Sequence, residues 1–451
     1  MKKLTSIFLV LVLMFALVAC CIPRGSDQSD DNNNNGEQQD QNENGENQNQ
    51  NGSTGNGDGS ADQIPEKKTL KINGVDISEY TIIYAKNPDA YKYTQAKKLV
   101  TQDTEYDEQT AKNLQALIKE HFGVTVKVAK DSASTSDKEI IIGKTKRGLT
   151  GDSLKAFEAA NDKDICVEEK NGKLIIAGAS YGATWQAVEK FIEKCLATEG
   201  TEVNIKSGYS YKTKADLLVV ACIGDSLTYG TKSTTNYTSS VDDGIRSDIV
   251  PYPVVLQRLA WKTMTVYNYG KGGRTMTENH YWDDDGNGTL DTDRAWLKTA
   301  EHTACMENAQ NFDLVLVMLG TNDANYNRTI KAGYTFELGG TYETAFINGC
   351  KKIVNELKAK NSDVRIALLN CPISFRSDVE DYAQNYIRKY QAKAAQQLGL
   401  DLLDMYTFTK ENTVAADYPD NLHPKDEGYT VYAQGIYTLI TPIVNEMLSK
   451  E

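Results

Sequence analysis

Histidine is nearly absent from this chain: His121, His280, His302 and His423 are the only four in 451 residues. No Cys/His spacing of a zinc site occurs, so a metal-held finger or ribbon is excluded. There is also no stripe of Lys and Arg, and the formal net charge is −13, which argues against nucleic acid and anionic surfaces as partners. The apolar run Ile7–Val18 is far short of the ~20 residues a bilayer-spanning helix needs. Eight cysteines are present, two of them the neighbours Cys20 and Cys21. The other six (Cys166, Cys195, Cys222, Cys305, Cys350, Cys371) are scattered through apolar patterns, which suits small buried residues better than a disulfide framework.

What is present begins with Met1-Lys2-Lys3, the apolar run, and then Leu17-Val18-Ala19-Cys20. A charged start and a short apolar stretch make a secretory leader. The Leu-Val-Ala-Cys ending resembles a bacterial lipobox. That resemblance implies a signal peptide over 1–19, lipidation of Cys20, and a membrane-anchored lipoprotein on the extracytoplasmic face of a bacterial cell. From Arg24 to Glu66 the chain is dominated by Asn, Gln, Asp, Glu, Gly and Ser, with ten acidic residues against Arg24 alone. Such a segment has nothing with which to build a core, and residues 20–66 read as a disordered tether. As a flexible coil it would reach roughly 35–40 Å.

Four blocks in the second half carry chemistry. Gly224-Asp225-Ser226-Leu227-Thr228 directly follows the apolar strand Leu217–Ile223, so Ser226 stands at the carboxyl end of a buried strand, where open α/β sheets gather ligands. It does not sit in the Gly-x-Ser-x-Gly elbow of the α/β-hydrolases. A plain strand-to-helix turn is the other reading. Asn268-Tyr269-Gly270-Lys271-Gly272-Gly273-Arg274-Thr275 follows the strand Met264–Tyr267. Glycines there let backbone N–H groups approach a ligand, or form an ordinary turn. Gly320-Thr321-Asn322-Asp323 follows Asp313–Leu319 and offers an amide donor for an oxyanion, or an Asx-turn. Asp420-Asn421-Leu422-His423-Pro424 sets a carboxylate three residues before an imidazole, or starts a helix with Pro424 in its first turn.

Together these blocks resemble the SGNH (GDSL-type) hydrolase family over about 215–451. The family's four invariant positions find counterparts in order at Ser226, Gly273, Asn322 and His423, with Asp420 three before the histidine. The resemblance implies a serine esterase with a Ser226–His423–Asp420 triad. Its oxyanion hole would be the Ser226 and Gly273 backbone N–H groups and the Asn322 amide. No cofactor is required for that chemistry.

Residues 67–212 lack any such block. Gln109–Phe122 repeats Ala111, Leu114, Leu117, Ile118 and Phe122 at helical spacing. Val124–Val128 alternates as a strand and Glu139–Gly143 is a short buried one. Asp164–Glu168 and Lys173–Ala177 form a hairpin turned by Asn171-Gly172, and a helix over 183–196 follows. With Ile142-Gly143 and Leu174–Ala183, the region resembles the N-terminal accessory domains of glycan-degrading enzymes such as α-glucuronidases and β-hexosaminidases. That resemblance favours an acylated polysaccharide or oligosaccharide as substrate; a purely structural role for the domain stands beside it.

Between the second and third blocks, Asp283, Asp285, Asn287, Thr289 and Asp291, with Gly288 at position six, resemble an EF-hand or dockerin-type calcium loop. Arg294 takes the twelfth position, where a bidentate carboxylate belongs, and Asp293 is one residue early. Structural calcium and a solvated acidic turn are the two readings.

From 213 to 451 strands alternate with helices, among them helices over 342–359, 379–398 and 425–448 and a strand over 400–406, which predicts a parallel sheet covered on both faces. The family resemblance makes it a flavodoxin-like three-layer α/β/α domain, preceded by the smaller α+β accessory domain. The expected function is an extracellular esterase that removes acetyl or other short acyl groups, on carbohydrate. A lipase or thioesterase for longer acyl chains is the alternative within the enzymes, weakened by the want of a long apolar lid segment. A catalytically inactive carbohydrate-binding lipoprotein is the alternative outside them.

Overall fold

Two β-sheets organise the chain, and the computed structural model describes residues 67–85, 105–158, 161–231, 250–278, 281–282, 292–325 and 336–450. The leader, Cys20, the tether and the acidic loop residues Asp283, Asp285, Asn287, Thr289 and Asp291 lie outside the described residues.

The first sheet is built from β3 (Thr81–Tyr84), β4 (Lys127–Lys130), β5 (Glu139–Ile142), β6 (Asp164–Lys170), β7 (Lys173–Gly178) and β9 (Ser210–Lys214). Its order is β4-β3-β5-β7-β6-β9. The neighbours from β4 to β7 are parallel, and β6 is antiparallel to both β7 and β9. The expected hairpin is present: Asn171 (φ 52°) and Gly172 (φ 83°) both take positive φ, as a two-residue type I′ turn requires. A smaller sheet joins β1 (Thr69–Ile72) to β2 (Val75–Asp76) and β8 (Glu202–Ile205). Helices α1 (Glu105–Phe122) and α3 (Tyr181–Ala197), with the short α2 (Gly151–Phe157) between them, complete this part. The strand expected at 124–128 lies at Lys127–Lys130 instead; Val126 is buried just before it, and its carbonyl accepts from the Gln115 amide on α1 at 2.6 Å.

The second sheet contains β10 (Leu218–Gly224), β11 (Met264–Gly270), β14 (Leu314–Met318), β15 (Arg365–Leu369) and β16 (Asp401–Leu403), while β12 (Tyr281–Trp282) and β13 (Thr292–Asp293) pair antiparallel apart from it. Within the second sheet every pair is parallel and the order is β11-β10-β14-β15-β16. This is the flavodoxin-like order, with its topological switch between β10 and β14. All of β10, β11 and β14 is buried, as strands covered on both faces must be. Along β10, Val219, Ala221 and Ile223 enter one core with α6 (Ala300–Asn308), α8 (Thr341–Lys360) and α10 (Arg388–Leu398). Leu218, Val220 and Cys222 enter another with α5 (Tyr252–Ala260) and α12 (Asp426–Leu448).

Two expected elements change shape. The helix read over 379–398 divides into α9 (Ser377–Tyr382), a π-turn at Ala383–Ile387, and α10. The strand read over 400–406 stops at Leu403, because Asp404 caps a new helix, α11 (Met405–Asn412), by accepting from the Thr407 N–H.

The two sheets share one apolar core cluster, which runs from Leu70 and Ile82 through Ile176 and Val188 to Val219 and Val315. The first part docks on the amino-terminal edge of the second sheet. Trp261, just before β11, stacks on Tyr106 at 4.7 Å and meets Trp185 edge-on at 5.2 Å. The Lys163 ammonium reaches Asp313 at the start of β14 at 3.1 Å. The Lys190 ammonium reaches Asp216, just before β10, at 2.7 Å.

Candidate active site

Everything expected to do chemistry lies at the other edge of the second sheet. β10 ends at Gly224, where any side chain would collide with the Thr228 hydroxyl. The chain therefore turns at once into α4 (Ser226–Tyr229), a single helical turn closed by Gly230 in the left-handed region at φ 93°. Asp225 caps α4 by accepting from the Leu227 N–H at 3.0 Å. The end of β11 clasps this turn: the Asn268 amide donates to the Thr228 carbonyl at 2.9 Å and accepts from the Gly270 N–H at 2.9 Å. Gly270 has no room for a side chain, because Tyr229 backbone fills the space.

Ser226 is 6% exposed and so is His423. The Ser226 hydroxyl lies 2.9 Å from His423 Nε2, and His423 Nδ1 lies 2.7 Å from Asp420 Oδ2. A carboxylate can only accept, so Nδ1 carries the proton and Nε2 is left to accept from the serine hydroxyl. The other oxygen of Asp420 accepts the backbone N–H groups of Leu422 at 2.9 Å and His423 at 2.7 Å. Asn421 takes φ 63°, which folds the carboxylate back onto the imidazole. Helix α12 begins only at Asp426, so the helix-start reading of this block does not hold.

Two carboxylates near the Ser226–His423 pair shift in opposite directions. Burial works against the charge of Asp420, but the His423 hydrogen bond and charge, with the two backbone donors, hold it down at about 2. Burial dominates at Asp225 and pushes it up to about 7, against the Leu227 N–H and His423 that favour its charge.

The second and third blocks meet beside the serine. The Lys271 N–H donates to the Gly224 carbonyl at 3.0 Å, and a methyl group on Gly272 would sit 3.9 Å from Ser226 Cβ. Gly273 takes φ 70°, which turns the chain as a residue with a side chain rarely does. Asn322 lies on α7 (Thr321–Ala324), and its amide donates to the Arg274 carbonyl at 3.1 Å. Ser226, Gly273, Asn322, Asp420 and His423 are thus brought together from four separate turns.

Sequence reasoning gave no role to Asp323, although it lies in the third block. It is wholly buried and accepts from Met276, Thr277 and Tyr342. Among the described residues no group of three His, Cys, Asp or Glu side chains could hold a metal. Asp293 uses one oxygen to accept the Ala295 N–H at 3.0 Å. Six described cysteines are buried and free, and among the described residues no helix is long and apolar enough to cross a membrane.

Residues 222–431 match the profile of the GDSL-like Lipase/Acylhydrolase family. No curated protein matches the chain. Among solved structures, a carbohydrate acetylesterase family member from Sinorhizobium meliloti is 22% identical, covering 52% of this chain and 100% of that one, with a TM-score of 0.35. An acetylxylan esterase from Geobacillus stearothermophilus is 19% identical, covering 50% and 94%, with a TM-score of 0.32.

Proposed function

We propose that the chain, whose residues 222–431 match the GDSL-like Lipase/Acylhydrolase family, is a carboxylic ester hydrolase that removes acetyl or other short acyl groups from carbohydrate. The observation that carries the reading is the continuous Ser226–His423–Asp420 hydrogen-bond chain at 2.9 and 2.7 Å. Ser226 Oγ attacks the ester carbonyl as His423 Nε2 takes its proton, and ionised Asp420 stabilises the imidazolium. The oxyanion is held by the Ser226 and Gly273 N–H groups and by the second N–H of the Asn322 amide. Collapse expels the alcohol, which receives the proton from His423. Water, activated by the same imidazole, then releases the acid. No cofactor enters these steps; calcium at Asp283–Asp291 would order an inserted loop.

Polar side chains joined to the turns that carry Asn322 and His423 favour a hydroxyl-rich alcohol over a long acyl chain. The Arg376 guanidinium donates to Asn325 at 3.3 Å and to Asp378 at 2.7 Å. Arg376 follows Phe375, whose N–H donates to the Asn421 carbonyl in the histidine's own turn. The lipobox resemblance at Cys20 would hold the enzyme on the extracytoplasmic face, with the tether lifting it from the lipid.

The test uses residues 63–451 against p-nitrophenyl esters of increasing length and acetylated xylan. Acetate release should be fastest, and Ser226→Ala should lower kcat by on the order of 10³-fold or more. Faster turnover of long acyl chains would replace this reading with a lipase or thioesterase. No hydrolysis of any ester by the wild type, with glycan binding retained, would replace it with a binding protein.

A further inference from the structure

Asp323 is 0% exposed and its carboxylate is fully engaged. Oδ2 accepts the Met276 N–H at 2.8 Å, while Oδ1 accepts the Thr277 N–H at 3.1 Å and the Tyr342 hydroxyl at 3.0 Å. What they join is informative. Met276 and Thr277 stand three and four residues past Gly273, and Asp323 is the immediate neighbour of Asn322. The Asn322 amide adds a bond from the same turn to the Arg274 carbonyl at 3.1 Å. Three attachments, at 274, 276 and 277, therefore pin the segment bearing one oxyanion donor to the turn bearing another.

Helix α8 backs this joint. It supplies Tyr342, and a side chain at Gly349 would collide with the Met276 carbonyl. On its other side Thr275 is held by backbone bonds, donating to the Arg294 carbonyl at 2.8 Å and accepting from the Trp296 N–H at 3.0 Å.

We propose that Asp323, with Tyr342 behind it, is a positioning residue that sets the spacing between the Gly273 N–H and the Asn322 amide, and so the geometry of the oxyanion hole. This rests on the esterase reading above. The chemistry demands a carboxylate: three donors converge, and only an acceptor-only group satisfies all of them. An amide at 323 would face one of those N–H groups with its own donor. Oxyanion donors act only when placed within hydrogen-bond distance of the oxygen as it develops charge. A spreading joint therefore costs the transition state more than the bound ester.

The test compares wild type, Asp323→Asn and Tyr342→Phe in residues 63–451, with kcat and KM measured separately on p-nitrophenyl acetate. Affinity for a boronic acid that forms a tetrahedral adduct with Ser226 is measured beside them. Asp323→Asn should lower kcat about tenfold to hundredfold, less than or equal to the loss of an oxyanion donor itself. KM should hold, and boronate affinity should fall by a similar factor. Tyr342→Phe removes one of the three bonds and should show a smaller fall in the same two readouts, and it keeps the test alive if Asp323→Asn fails to fold. Wild-type kcat and boronate affinity in both folded variants, or a loss confined to thermal stability, would overturn the positioning role alone. A wild type that neither hydrolyses ester nor binds the boronate would overturn the esterase reading, and the positioning role with it.

Discussion

Asp225 and Asp420 both lie against the Ser226–His423 pair, and the number of donors each receives separates them. Asp420 accepts two backbone N–H groups and the imidazole, so it stays ionised down to about 2. Asp225 has burial as its dominant influence and titrates at about 7. Stability follows from the sign of each shift. An unfolded aspartate releases its proton near 3.9, whereas native Asp225 keeps it to about 7. Between those values the native state holds the extra proton, and stability falls as pH rises, by up to about 1.4 kcal/mol per pH unit. Asp420 acts the other way and below that window, its contribution being lost as pH drops from about 4 towards 2. Asp225→Asn should remove the first slope. In urea unfolding across pH 4 to 7, the stability of the wild type should decline relative to the variant, and parallel curves would show that native Asp225 is already ionised there.

At the scale of elements, the Gly178–Ala183 run that marks the accessory resemblance is occupied with packing. Gly178 lets α3 fold back over the end of β7, since a side chain there would meet Ala183 and Thr184 at about 2.5 Å. A side chain on Gly182 would stand 2.6 Å from the Trp261 carbonyl oxygen. The Gln186 amide bonds the carbonyls of Asp216 at 3.0 Å and Lys262 at 3.1 Å. Helix α3 is thus the joint between the two sheets. Gly182→Ala should force Trp261 off Tyr106 and destabilise the protein by about 1–3 kcal/mol, the usual cost of overpacking. Chemical denaturation reads the loss, and Trp fluorescence should report the altered Tyr106–Trp261 stack. An unchanged midpoint would mean that the joint can give way by a few tenths of an ångström.

For the whole described molecule, what matters is that the two sheets bury a common core. The docking residues sit at the starts of β10, β11 and β14, and Ser226 follows the end of β10, which at about 3.3 Å per residue is roughly 20 Å away. The described docking contacts of the first part therefore brace the sheet from below, at the end away from the serine. Residues Gln63–Glu451 form one compact unit, and a shared core predicts a single cooperative unfolding transition in calorimetry. Two separate transitions, or a stable soluble fragment over 213–451, would show that the joint carries little of the stability.

Elements whose causes are local were legible in the chain before any folding. Apolar runs named β10, β11 and β14, helical spacing named α8 and α12, and Asn171-Gly172 named its hairpin. Spaced blocks also singled out Ser226, Asn322, Asp420 and His423, and the SGNH resemblance picked Gly273 from among its neighbouring glycines. Where two local signals competed, sequence reasoning misread the outcome: Asp404 looked like the middle of a strand until its side chain was seen capping α11. The tertiary structure alone decided what depends on distant partners. Ser226 and His423 meet across 197 positions. Asp323 finds Met276, Thr277 and Tyr342 only after three elements pack. Trp261 finds Tyr106 and Gly182 only after both sheets form. Hydrogen bonds and packing between such residues reflect how whole layers stack, and no window of sequence contains both sides of the contact.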